Sequence, residues 1–329
     1  MKPGARGLSA AAILTLILLV AVLGSLALGE VRLSPGEVFR ALAGHGDELA
    51  HTVVWDLRLP RTLVGMAVGA GLAASGVAMQ AYFRNALASP GLLGVSSGGA
   101  LGAVAVLALA GAGVSLWTVP LASIAGAFLA TGTVMALARR GASSEHLLLS
   151  GVALNAIFGA ATSFLLALSA GQFQVSGQIL FWLLGGLENR TWEHVWISLP
   201  AILVGCALIL PLGRSLNLLS LGESSAQSLG VDVRRLRWQL IALSTVLTAL
   251  ATAVGGIIGF VGLVVPHLLR LGFGPDHRRL LPLSMLGGAA LVLLCDLPTR
   301  FLPGGMRLGV VTALVGGPFL LWMLRREPC

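Results

Sequence analysis

Residues 92–138 read LLGVSSGGALGAVAVLALAGAGVSLWTVPLASIAGAFLATGTVMALA, without one Asp, Glu, Lys or Arg, and stop at Arg139-Arg140. A helix needs about 20 mainly apolar residues to cross the hydrocarbon core of a bilayer. This run is long enough for two crossings, broken at Gly111-Ala112-Gly113 through Pro120. Residues 62–83, 147–187, 195–213, 238–269, 280–295 and 308–324 are equally free of charge. The pattern belongs to an all-α, polytopic membrane protein.

Composition agrees. Of 329 residues, 56% are hydrophobic and 10% charged, against roughly 45–50% and 25% in soluble domains. That leaves too little polar surface to cover a water-exposed globule. The net charge of +8 does not mark a nucleic-acid binder, because lysine occurs once, at Lys2, and the arginines sit in short loops between apolar blocks. Such arginines set topology; they form no phosphate-binding face. Cys206, Cys295 and Cys329 make no short-spaced pair, which argues against a disulfide framework or metal cluster.

Gly, Pro and charge clusters divide the blocks into ten expected spans, near 8–29, 62–83, 92–110, 117–138, 147–169, 195–213, 238–255, 257–270, 280–295 and 308–324. All belong to one transmembrane domain, residues 1–329. The first apolar stretch exceeds a signal-peptide core and is followed by further spans, so it reads as a transmembrane helix. Ten spans put both termini on one side. With the termini cytoplasmic, 14 of the 21 Lys and Arg residues fall inside and 7 outside, as the positive-inside rule favours. The long connectors are then an external loop, 30–61, and a cytoplasmic loop, 214–237. Spans 2–5 and 7–10 would match as an inverted repeat, an expectation from span count, since the halves show no convincing residue match. Glycines at four-residue spacing (Gly65 and Gly69, Gly98 and Gly102, Gly255 and Gly259, with Gly71 and Ser75) read as close helix packing.

The chain lacks the parts for self-powered transport. A Walker-type P-loop needs a lysine after its glycines, and Lys2 cannot serve. Ion-coupled carriers place ionisable groups inside the membrane, yet the spans hold no acidic residue away from their edges, with Glu145 and Asp296 at span ends. Energy is expected from a partner. In the cytoplasmic loop, Leu221–Gly230 reads as a short helix with Ser220 as N-cap and Gly230 as its stop, and Asp232 caps the next helix. It suits a docking peg or an ordinary connector. Outside, Arg58 and Arg61 in Trp55-Asp56-Leu57-Arg58-Leu59-Pro60-Arg61 could grip carboxylates or anchor headgroups. In span five, Gly151, Asn155, Gly159 and Ser163 form one small, polar stripe, either a path lining or a helix contact. His267 after Pro266 reads as a packing residue in preference to a haem ligand, and no catalytic set or metal-ligand cluster is visible.

These segments resemble the FecCD family, the permeases of type II ABC importers for iron-siderophores, haem and cobalamin, over residues 31–326. The resemblance rests on Arg58-Leu59-Pro60-Arg61, Gly76 through Gln80, Arg84 through Gly91, Gly94-Val95-Ser96-Ser97-Gly98, Leu147 through Gly151, Trp182 through Gly186, Leu221–Gly230, Gly259 through His267 and Gly309 through Pro318. Where the family commonly has Asn-Pro-Leu-Ala, this chain has Asn85-Ala86-Leu87-Ala88. The resemblance implies a homodimer in the bacterial inner membrane, with two copies of a cytoplasmic ABC ATPase that uses ATP and Mg, and an extracytoplasmic binding protein. The permease itself binds no cofactor. By position it places Leu221, Gly222, Glu223, Ala226, Leu229 and Gly230 in the ATPase-coupling helix. Arg58, Arg61 and Arg300 would receive the binding protein, Ser143 and Ser144 would sit at the cytoplasmic gate, and span five would line the path. An iron chelate, ferric siderophore or haem, is the expected substrate, with cobalamin as the alternative. An ATP-independent carrier or channel is the alternative of another class.

Overall fold

A computed structural model describes residues 3–111, 113, 115–137, 144–301 and 306–326. The described residues form helices and no strand, because a helix closes its own backbone hydrogen bonds where no water can. Seven helices or helical runs are long and apolar enough to cross a membrane. They fall in α1 (Pro3–Ala27), α4 (Leu59–Phe83), α6 (Thr118–Leu137), α7 (Ser144–Leu168), α9 (Trp192–Ile209), α12 (Val233–Gly255) and α14 (His277–Thr299). Three shorter apolar helices accompany them: α5 (Val95–Ala110), α13 (Val261–Phe273) and α15 (Leu308–Arg326). Each expected span falls on one of these ten.

The connectors carry the differences. The expected external loop 30–61 holds α2 (Pro35–Leu42) and α3 (Glu48–Thr52), and a π-turn over Val53–Arg58 runs on into α4. Helical backbone therefore begins well before residue 62. A capping box, with Ser34 and Glu37 bonded to each other's backbone N–H, fixes α2. The break before α13 is wider than glycines 255–259 suggested: α12 ends at Gly255, and Phe260 sits in left-handed backbone before Val261. Gly255 and Gly259 thus do not share a helix face. The charge-free block 147–187 is long enough for more than its one expected span, and its second part holds α8 (Phe173–Leu183). In the expected cytoplasmic loop lie α10 (Gly213–Ser220) and α11 (Glu223–Ser228).

Helix α4 runs through the middle and packs on α14, α12, α9 and α13. Its small residues let backbones touch: a Cβ on Gly76 would overlap the carbonyl oxygen of Gly262, and one on Gly69 that of Gly288. In lipid, where apolar burial alone gives little drive, this contact and dispersion hold helices together. Helices α5 and α6 meet the same way, Gly98 against Gly126 and Gly102 against Ala122.

Candidate functional site

At the expected outer end, three helices bring four charges together. Asp296, near the end of α14, is fully buried. The Arg61 guanidinium holds it with two donors, Nε to Oδ2 at 2.9 Å and Nη2 to Oδ1 at 2.7 Å. Arg300, one helical turn beyond Asp296, donates to Oδ2 from Nε (3.1 Å) and Nη2 (2.8 Å). It also reaches back to α1, donating to Ser25 Oγ at 2.7 Å. Arg58, placed by the π-turn, is buried and donates to the carbonyls of Leu26 and Val31. The three arginines of the sequence reading therefore share one corner, but with Asp296 at its centre and their donors already engaged. Three cations face one carboxylate. Burial, then repulsion from Arg61, pulls the Arg300 pKa down, while Asp296 opposes the fall.

Beside this cluster lies a cavity of about 530 Å³, with Glu188, Arg190, Arg307, Phe181, Gln178 and Thr299 in its wall. Thr299 also accepts from Arg61 Nη2 at 3.0 Å, which joins the two features. Arg307 Nη1 pairs with Glu188 Oε2 at 2.8 Å, and its guanidinium lies 3.7 Å from the Phe181 ring centroid. Arg190 Nη1 lies 3.1 Å from His194 Nε2. His194 Nδ1 lies 3.1 Å from Thr191 Oγ1 and accepts from Thr191 N at 3.3 Å, which ties the ring to the start of α9. The Nε atoms of both arginines are buried without a hydrogen-bond partner among the described residues. Burial above all brings the Arg190 pKa down to about 10, with Glu188 opposing and Arg61 and Arg307 reinforcing.

The stripe on α7 divides. Gly151 packs on the 3₁₀ turn Pro90–Leu93, where a Cβ would overlap the carbonyl oxygen of Leu92. Asn155 donates to Gly91 O at 3.0 Å and accepts from Ser97. Those two residues are a helix contact. Gly159 and Ser163 are exposed, with nothing within 4 Å of a Cβ on Gly159. Ser144 opens α7, and Ser143 lies outside the described residues.

On the opposite end, α11 stands as a short rigid piece. Gly222, at φ +109°, occupies its N-cap position, and Ser220 instead closes α10 by donating to Asn217 O. The N-cap expected at Ser220 thus moves two residues on, because only glycine takes that backbone without strain. Gly230, at φ +84°, stops the helix as expected, with Gly230 N to Gln227 O at 2.9 Å and Val231 N to Ala226 O at 3.0 Å. Asp232 caps α12 through Arg235 N at 2.9 Å. Ala226 is fully buried and anchors α11, while Glu223 pairs with Arg237 of α12. Leu221 and Leu229 are exposed on either side of α11. His267 is buried and packs edge-on to Phe319 at 6.2 Å.

Sequence reasoning placed Asp296 at a span end but did not join it to the arginines, although its spacing of four before Arg300 was the available signal. It also passed over Glu188, Arg190 and Arg307, which have no common periodicity. Gln80 was quoted only as part of a motif; in the fold its Oε1 accepts from Arg270 at 2.7 Å and its amide donates to Leu263 O at 3.2 Å.

Known proteins resemble this chain over most of its length. The chain is 41% identical to the hemin transport system permease HmuU of Yersinia pestis, over 95% of this chain and 94% of that one. It is 44% identical to the cobalamin import system permease BtuC of Halobacterium salinarum, over 84% of this chain and 74% of that one. Among solved structures, an inward-facing transporter assigned to the metal-chelate ABC type superposes with a TM-score of 0.86 at 35% identity, covering 95% of this chain and 98% of that one. With the FecCD transport family model matching residues 17–326, the chain belongs to that family and is a membrane-embedded ABC transporter permease.

Proposed function

We propose that the chain is the permease subunit of a binding-protein-dependent importer that carries an iron chelate, a ferric siderophore or haem, across the bacterial inner membrane. Ten spans with cytoplasmic termini, a homodimer, two ATPase copies and ATP-driven alternating access complete the reading. The observation that carries it is the α10–α11 loop. A rigid six-residue helix, anchored by Ala226 and braced by Glu223 to Arg237, presents Leu221 and Leu229 to solvent. Leucines displayed so on an otherwise polar connector suit seating in another protein. Hydrolysis on that partner would move α11 and reorient the spans through α12.

At the other end, the outer corner keeps excess positive charge for a binding-protein carboxylate, since Arg61 and Arg300 share one acid and Arg58 is held only by carbonyls. The exposed half of the α7 stripe would face a second copy across the path, with the Ser143-Ser144 segment at the gate. An inverted repeat is supported by two matching breaks. Gly91-Leu92-Leu93-Gly94 precedes α5 and Gly256-Ile257-Ile258-Gly259 precedes α13, and each break ends in positive-φ backbone, at Gly94 and Phe260.

Cobalamin import is the second reading, favoured by the identity to the archaeal cobalamin permease. Uptake into proteoliposomes containing the permease and its ATPase, with binding protein loaded with haem, a ferric siderophore or cobalamin, tests both readings. Uptake should require ATP and binding protein. Uptake that persists without ATP would replace the importer with a secondary carrier, and cobalamin as the sole transported ligand would select the second reading.

A further inference from the structure

The geometry points to the cavity between α8, the α8–α9 loop and Arg307 as a recognition site for a free carboxylate on the transported chelate, with Arg190 as its ligand. This rests on the importer reading and narrows its substrate class to chelates that carry ionised carboxylates.

Charge balance is the starting observation. Two guanidiniums, Arg190 and Arg307, line the cavity against one carboxylate, Glu188, and Glu188 is paired with Arg307 at 2.8 Å. Arg190 meets only the neutral imidazole nitrogen of His194 among the described residues, and its Nε is buried without a partner. Glu188 is the acid that opposes the cost of burying Arg190, and it is already paired with Arg307, so an incoming carboxylate would supply a second negative charge and an acceptor. Thr299 links the wall to Arg61, whose positive charge reaches Arg190 as well.

The loop is built to hold Arg190 in place. Asn189 takes left-handed backbone at φ +56°, and Thr191 with His194 closes a capping box at the start of α9. The side chain therefore projects from a fixed turn. Phe181, Trp182 and Gln178 also line the wall, and its volume of about 530 Å³ admits a bulky organic molecule. A cavity with one unneutralised guanidinium beside aromatic faces suits an acidic chelate better than an uncharged one.

The test uses the assembled permease–ATPase complex in nanodiscs without binding protein. Haemin, which carries two free carboxylates, and haemin dimethyl ester, which carries none, are titrated while tryptophan fluorescence is followed. Haemin should bind about tenfold more tightly than the ester, a difference expected of one charge-assisted pair. R190Q should remove that preference, R190K should restore part of it, and ester binding should not change between variants. Equal binding of haemin and ester to the wild type overturns the proposal, as does a haemin preference that survives R190Q. So does a result in which R190Q weakens only the docking of binding protein, because the carboxylate then belongs to that protein. ATP hydrolysis stimulated by binding protein, measured on the same wild-type nanodiscs, reports on the importer reading separately.

Discussion

Helices α4 and α7 make a pair in which similar composition leads to opposite surroundings. The helical run through α4 and the α7 span have mean hydropathies of 1.7 and 1.8 over their most apolar windows. Yet 83% of the first window is buried inside the chain and only 17% of the second. Both helices present small residues at helical spacing. On α4 these residues meet other backbones within the chain, at Gly262 and Gly288; on α7, beyond Asn155, the exposed Gly159 and Ser163 do not. The contrast teaches that small residues make close contact possible, whereas the surface opposite decides whether contact occurs. Since the exposed half of α7 has no counterpart among the described residues, its counterpart is sought in a second copy or in the path.

Four substitutions break or sharpen this contrast, in order of falling effect on the protomer. Gly76→Val places a side chain into the backbone of α13, where no rotamer can relieve the overlap. No monodisperse protomer should survive detergent extraction and size-exclusion chromatography; a normal elution profile would show that α4 is not packed as described. Next, Asp296→Ala leaves Arg61 and Arg300 buried without their shared acid and should cost about 3 kcal/mol, read as a lowered thermal unfolding midpoint. Combining it with Arg61→Gln should recover part of the loss, and no recovery would mean that the carboxylate matters through other contacts.

On α7 the expectation inverts. Gly159→Leu adds bulk where nothing lies within 4 Å, so the unfolding midpoint should stay within about 1 °C of wild type, less than the shift of a 1 kcal/mol change. Uptake should fall sharply if that face meets a second copy, and unchanged uptake together with an unchanged dimer would assign the face to lipid. An effect of similarly small size belongs to the α10–α11 loop. Glu223→Gln removes a partly exposed pair with Arg237 worth about 0.5 kcal/mol, so folding barely changes. Binding-protein-stimulated ATP hydrolysis should nevertheless drop, because α11 loses its brace to α12. Full stimulation would remove that brace from the coupling route.

Much of the peg was legible in the chain, because caps and stops are local chemistry. Asp232 and Gly230 act where their residue types say they should, while the start of α11 moved from Ser220 to Gly222 because a positive φ outweighed a hydroxyl. The outer corner was half legible. Arg58 and Arg61 announced themselves as two cations before a span, but the engagement of Arg61 depended on Asp296 and that of Arg58 on the carbonyls of Leu26 and Val31, which lie far away along the sequence. The cavity arginines were not legible, since Glu188 and Arg307 become a pair only after 118 intervening residues have folded between them.

By itself the sequence determined that this chain lives in a membrane, where its long apolar helices lie and that it lacks a P-loop lysine, because hydrophobic length and missing residue types act locally. Only the tertiary structure decided which apolar helix became the centre and which stayed at the edge, which arginines share an acid, and which guanidinium meets an imidazole. Those outcomes depend on what stands opposite a residue, and distance along the chain does not encode that.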